Sequence, residues 1–198
     1  QTPTVAAAGS DIFQCNNAVF TMAANSAVVG SGLWSQTAGP AVVITDPTNA
    51  TTTVTGLVAG SGVVTLQWTI TNGVSCPTSS NTVDIRNDVL PVADAYEVDG
   101  TTSFDVCGLL TYTSNALTST GTGTWSKTSG PGVLSFELPA NDATDPDQVL
   151  SVSAYGTYVL RWTYVNLTCS AFDEITVNFY QTPTVAAAGS DIFQCNNA

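Results

Sequence analysis

Five cysteines, Cys15, Cys76, Cys107, Cys169 and Cys195, are the most reactive side chains in a chain of 198 residues that contains no histidine. Without an imidazole, Cys-His and Ser-His-Asp catalysis are excluded in their usual forms. No Cys-x-x-Cys pair offers half of a zinc site either. Serines are plentiful, but none sits in a Gly-x-Ser-x-Gly elbow. Lys127 is the only lysine, so Schiff-base or Ser-Lys chemistry would rest on one residue in a Gly-flanked strand. A solvated strand side chain is the better reading. Asp145 and Asp147 could form the carboxyl pair of a glycosidase, yet they lie in NDATDPDQ, where Asp, Asn and Pro are expected as turn formers. No catalytic residue is therefore expected, and the chain does not read as an enzyme.

Calcium is the one cofactor the residues could take, since hard cations are held by oxygens from flexible loops. Asp142, Asp145 and Asp147, with Asn141, form the best candidate set; Asp88, Asp94, Glu97 and Asp99 form a second. Neither set matches an EF-hand. Gly30-Ser31-Gly32 and Gly121-Thr122-Gly123 are no phosphate loop, because no P-loop lysine follows them. They are expected to form turns that let Trp34 and Trp125 enter a core. Trp34, Trp68, Trp125 and Trp162 could stack on sugars if exposed, but their neighbours on alternating segments are Val, Leu and Ile. Core packing is the expectation.

The elements that position these residues are set by repetition. Residues 1–18, QTPTVAAAGSDIFQCNNA, recur unchanged as residues 181–198, a period of 180 residues. A weaker repeat lies inside it. GSGLWSQTAGP around Trp34 matches GTGTWSKTSGP around Trp125, and VTLQWTITNGVSC ending at Cys76 matches YVLRWTYVNLTC ending at Cys169. The expected domains are 1–89 and 90–180, with 181–198 opening the next copy. Targeting elements are expected outside this segment.

Arg86, Lys127 and Arg161 face fifteen acids, giving a net charge of −12. That balance argues against nucleic acid and anionic membranes as partners. Only 9% of residues are charged, so solubility rests on Thr, Ser, Asn and Gly, as on a secreted β-protein. No run of 18 apolar residues is present, and none of the segments reads as a membrane span. Asn49 and Asn166 begin Asn-x-Thr triplets, which carry little weight in a Thr-rich chain.

Period-two alternation predicts strands near 3–8, 11–15, 18–24, 32–37, 41–45, 51–56, 63–71 and 81–87. Their counterparts fall near 92–97, 102–106, 109–114, 123–128, 132–138, 147–153, 157–165 and 173–179. Along 63–71, Val64, Leu66, Trp68 and Ile70 should face inward; Tyr158, Leu160, Trp162 and Tyr164 should do so in the second copy. The linkers, 87–91 and 180–183, both end at a proline that stiffens the joint.

Ala8-Gly9-Ser10-Asp11, Trp34, Gly39-Pro40 and Trp68, with Trp125, Gly130-Pro131 and Trp162, resemble the pattern of PKD-like immunoglobulin-type domains. The likeness is greatest to those repeated in large cell-surface adhesins of Bacteroidota. The Trp-Asp-Phe-Gly-Asp-Gly signature of other PKD domains is absent, and AYEVDG replaces Ala-Gly-x-Asp in the second copy. The resemblance implies an all-β fold: two tandem immunoglobulin-like (PKD-like) β-sandwiches joined head to tail, plus the first strands of a third. It also implies a non-catalytic repeat unit of an extracellular filament or surface adhesin. The partners would be identical neighbouring repeats and, beyond them, surface glycans or other cells. Two other functions fit the residues: a filament subunit polymerised by donating the strand TPTVAAAG, and an accessory glycan-binding module of a secreted enzyme.

Matching cysteines in such a chain favour disulfides. Pairing within each domain would join Cys15 to Cys76 and Cys107 to Cys169. Strand parity opposes it, because five predicted strands lie between Cys15 and Cys76 and set them at opposite ends of a sandwich. A strand of six or seven residues is roughly 20 Å long, whereas bonded cysteines need Cα atoms within about 7 Å. Head-to-tail packing would instead let Cys15 reach Cys169, and Cys107 reach the Cys76 copy one period on. The interdomain bond is favoured over the intradomain pairs; Cys195, the copy of Cys15, would find its partner past residue 198.

Overall fold

The computed structural model describes residues 1–74, 76–96, 100–137 and 142–191, and every element among them is a strand. The first seven are β1 (Ile12–Cys15), β2 (Phe20–Thr21), β3 (Ser31–Ala38), β4 (Val43–Ile44), β5 (Thr53–Thr55), β6 (Val63–Thr71) and β7 (Ser79–Asp88). Seven more repeat the order: β8 (Ser103–Cys107), β9 (Thr111–Thr113), β10 (Thr122–Ser129), β11 (Leu134–Phe136), β12 (Val149–Val152), β13 (Gly156–Asn166) and β14 (Cys169–Tyr180). In each set a four-stranded sheet, β1-β7-β6-β3 or β8-β14-β13-β10, is accompanied by a three-stranded one, β2-β5-β4 or β9-β12-β11. The molecule is two sandwiches of the same topology.

Alternation explains the long strands. Val64, Leu66, Trp68 and Ile70 are buried on one face of β6, and Tyr158, Leu160, Trp162 and Tyr164 on one face of β13. Each face packs into its own core cluster with the shorter sheet, through Phe20, Met22 and Val54 in one and Leu150 and Val152 in the other. All four tryptophans are buried at 1–2% exposure. Trp34 lies directly across from Trp68, and Trp125 across from Trp162, each pair with ring centroids 5.2 Å apart and tilted by 45°.

The glycines before those tryptophans serve a neighbour. Gly32 pairs with Ile70 and Gly123 with Tyr164. A Cβ at Gly32 would fall inside the ring of Trp68, and one at Gly123 inside that of Trp162. The expectation that both glycines of each Gly-x-Gly turn serve Trp34 and Trp125 is thus corrected for the second of them: Gly30 and Gly121 precede their strands at φ +97° and +130°, while the missing side chains of Gly32 and Gly123 make room for the cross-strand partners.

Two expected strands are not formed among the described residues. Residues 3–8 form no strand: Ala6 and Ala8 donate their N–H groups to Ser79 Oγ and Asn81 Oδ1, not to a ladder. Ala95, in the expected strand 92–97, likewise donates to Asp173 Oδ2. Side-chain acceptors at the edge of β7 and β14 replace the backbone there. Residues 181–190, the copy of 1–10, form no strand and are exposed, and 192–198 lie outside the described residues. β14 begins at Cys169, four residues before its predicted start.

Gly32→Ala and Gly123→Ala should each destabilise their sandwich by about 1–3 kcal/mol or more, as overpacking does. Thermal unfolding of the two variants checks this. Gly62→Ala is a control for backbone strain without crowding, since its φ is +107° and nothing lies near its added Cβ.

Candidate functional site

The two sandwiches meet where β1 ends, because β1 runs parallel to β7 and places Cys15 beside Asp88, the last residue of β7. Asn16 then turns at φ 45° and its N–H donates to the Asp88 carbonyl. From the second sandwich comes the tight turn between β13 and β14, in which Asn166 pairs with Cys169. Leu167 holds that turn with φ 53°, a conformation that costs a non-glycine residue about 1–2 kcal/mol. At this meeting point Cys15 and Cys169 form a disulfide, with Cα atoms 5.3 Å apart and a sequence separation of 154.

A buried carboxylate flanks the bond. Asp88, 2% exposed, accepts Arg86 Nε at 2.6 Å and the Arg86 Nη2 at 3.1 Å on its two oxygens. Its Oδ2 also accepts the Thr168 hydroxyl at 2.6 Å, which ties the end of one sandwich to the turn of the other. Arg86 is held in place from behind, its guanidinium 4.3 Å from the centre of the Phe13 ring. The Arg86 hydrogen bond, helped by Thr168, holds the Asp88 carboxyl below the usual carboxylate range, although burial alone would raise it. Asn166 Nδ2 reaches the Val89 carbonyl at 3.4 Å, and Pro91 is buried in the linker. Val89, Leu90, Val92 and Leu167 line an apolar cleft of about 430 Å³ beside it.

No protein-family model matches the chain, and no curated protein gives a significant match to its sequence. Solved structures do. Extracellular domains 3–5 of Drosophila OTK align over 92% of this chain with a TM-score of 0.55 and 13% identity. The chain spans 60% of that three-domain structure. Sidekick-1 immunoglobulin domains 1–5 align over 90% of this chain and 39% of theirs, at a TM-score of 0.53 and 10% identity. The I-band fragment I67–I69 from titin aligns over 91% of this chain and 66% of its own length, at 0.50 and 14%. The fold is a tandem of immunoglobulin-like sandwiches. At such identities the likeness speaks for fold alone.

Within this immunoglobulin-like tandem, the other expected site residues fall as follows. Cys76 and Cys107 are free, so neither intradomain pair is formed. The reason is direction: Cys15 sits at the end of β7 and Cys76 before its start, so the ten residues of that strand, roughly 33 Å at the usual rise, lie between them. Cys195 lies outside the described residues. The buried tryptophans leave no indole face for a sugar, so these four residues do not form the exposed line of indoles that the glycan-binding reading asks of them.

The calcium candidates are not drawn together. Asp142 Oδ1 accepts the N–H and hydroxyl of Thr144, and Asp145 Oδ1 accepts the N–H of Asp147. The bonds from the Thr144 N–H and hydroxyl hold the Asp142 carboxyl below its ordinary range. Among the described residues no group of three or more His, Cys, Asp or Glu could hold a metal ion; Asn141, Glu97 and Asp99 lie outside them. Asp88 is committed to Arg86 and Thr168, and Asp94 Oδ1 accepts the Tyr96 N–H. Lys127 is no solvated strand residue: its ammonium donates to the carbonyls of Gly130 and Gly132 and clamps that turn. Gln36 does the same work at the equivalent turn, through Gly39 and Pro40.

Sequence reasoning missed the Arg86–Asp88–Thr168 clamp. Arg86 and Asp88, two apart on one strand, share a face, and their rarity in a chain with 9% charged residues was a usable signal. Thr168 gave none, since it lies eighty residues away.

Asp88→Asn should lower stability at neutral pH by about 1.5–3 kcal/mol, the range for hydrogen bonds to charged groups. The folded pKa is depressed, so the carboxylate contribution is complete above the unfolded value of about 3.9. It is lost as pH falls from there through the lower folded value. Urea unfolding at pH 7 and pH 2.5 should therefore show a smaller acid loss in Asp88→Asn than in the unaltered protein. An equal loss in both would remove Asp88 from this role.

Proposed function

We propose that the chain is a non-catalytic structural module of a long extracellular filament or cell-surface adhesin, in which copies of the 180-residue period follow one another in a single polypeptide. The observation that carries this reading is the joint: a disulfide and a buried carboxylate clamp hold two sandwiches end to end across a linker that reaches Pro91 three residues after Asp88. A joint so constrained transmits bending and tension from one sandwich to the next. Disulfides persist in oxidising surroundings, which suits an extracellular place. Tandem immunoglobulin-like folds serve many functions, so the module's role rests on the joint and the repetition. Its partners are identical neighbouring repeats, with glycans or other cells met by the finished filament. The resemblance to repeats of Bacteroidota surface adhesins supports the same role.

Denaturing electrophoresis of the native protein under reducing conditions tests the array. One very large polypeptide is expected; a band near 20.4 kDa would instead support subunits polymerised by strand donation. Electron microscopy of the native filament before and after reduction tests stiffness. The spread of bend angles should widen on reduction, and an unchanged spread would show that the disulfide does not set it.

A further inference from the structure

We infer that Cys107 of each period is bonded to Cys76 of the following one, so that every joint of the filament is closed covalently. The inference rests on the array reading above.

The free cysteines sit at opposite ends of the two-sandwich unit, and each end repeats half of the joint already described. At the trailing end, β8 runs parallel to β14 and places Cys107 beside Tyr180, the last residue of β14. This is how Cys15 lies beside Asp88. Gly108, at φ 75°, donates its N–H to the Tyr180 carbonyl as Asn16 does to that of Asp88. The chain then leaves alongside, with Thr182 against Gly108. It reaches Pro183 three residues after Tyr180, matching the spacing from Asp88 to Pro91.

The leading end shows the other half. Gln1 is the copy of Gln181, the residue that follows Tyr180, and so marks where a preceding copy's chain arrives. Its carbonyl accepts Asn72 Nδ2 at 2.8 Å, as the carbonyl of Val89, which follows Asp88, accepts Asn166 Nδ2. Asn72 and Asn166 each lie four residues after the buried tryptophan of their strand. The incoming linker is therefore received by the same residue at the same place in both sandwiches. Cys76, in the β6–β7 turn equivalent to the turn before Cys169, has its thiol 3.5 Å from that same Gln1 carbonyl. By this correspondence Cys76 takes the part of Cys169 and Cys107 that of Cys15.

Closing the bond removes one proton and one electron from each thiol. A disulfide-bearing oxidant accepts them and leaves as two thiols, and one S–S bond forms as another breaks.

Mapping cysteines in the native full-length protein tests the inference. Cleavage before aspartates puts Cys15, Cys76, Cys107 and Cys169 on separate fragments, 11–45, 46–83, 105–141 and 147–172. Fragments 46–83 and 105–141 should emerge linked, part on reduction, and take up no alkylating reagent beforehand. The Cys15–Cys169 pair serves as the internal reference. Alkylation of Cys76 or Cys107 without reduction, or a link from Cys107 to Cys169 or Cys76 to Cys15, would overturn it. Size after reduction separates the two proposals. Free thiols on a very large polypeptide defeat this inference alone. A Cys76–Cys107 link in protein that reduces to subunits near 20.4 kDa defeats the single-chain array and leaves the bond standing between subunits.

Discussion

The direction of one short strand decides what this molecule's disulfide joins. β1 pairs with β7 in parallel, four residues against the last four of a ten-residue strand. Were the pairing antiparallel, the chain would leave β1 at the other end of β7, near the β6–β7 turn that carries Cys76. An internal bridge would then be within reach. Parallel pairing carries Cys15 away from that turn by several times the roughly 7 Å a disulfide can span, and toward the next sandwich. The direction is fixed upstream, where the leading segment is tied down at the far end of the sandwich. Thr4 donates to the Val29 carbonyl, Asn25 brackets Val5 and Ala7, and Ala8 is anchored on Asn81. Ala6 and Ala8 are small enough to be buried there, so the chain can cross the sandwich before β1 begins.

Elements held by backbone ladders and one apolar face were legible in the sequence. β6 matches its expected residues, and its alternating burial follows the alternating side chains. Segments held by side chains were not. TPTVAAAG has the composition of a strand, but nothing in it announces that Ser79 and Asn81 will supply the acceptors. The same limit applied at the joint. Parity could separate the cysteines because it depends on strand count, a property of the whole pattern. The Asp88–Thr168 bond depends on two loops meeting across a domain boundary, and local periodicity carries no trace of that.

The two sandwiches share a core and differ at their rims. Both cores rest on a cross-strand tryptophan pair of the same separation and tilt, roofed by a glycine that cannot be larger. The turn after β3 needs a donor to gather its carbonyls, and Gln36 supplies it; after β10 that donor is Lys127. An amide and an ammonium both supply the donated hydrogens, and the Gln36 amide oxygen in addition accepts the Val42 N–H at 3.3 Å. The chain's sole lysine is therefore accounted for by a turn.

The rims diverge most at the ends of β7 and β14. Asn87 and Asp88 end β7: Asn87 is buried and donates to the Leu57 carbonyl, and Asp88 holds Arg86 and Thr168. Phe179 and Tyr180 end β14, with Phe179 buried edge-on against Tyr158 and Tyr180 half in solvent. A carboxylate clamp needs an acid on one side and a hydroxyl or cation on the other, and β14 ends in Tyr180 where β7 ends in Asp88. The end carrying Cys107 thus presents an exposed thiol and an aromatic ring, with no buried charge among the described residues there. Burying an ion pair gains little net stability but penalises misalignment. On that ground the joint between the two sandwiches is one whose geometry is specified by polar contacts around Asp88 as well as by the disulfide.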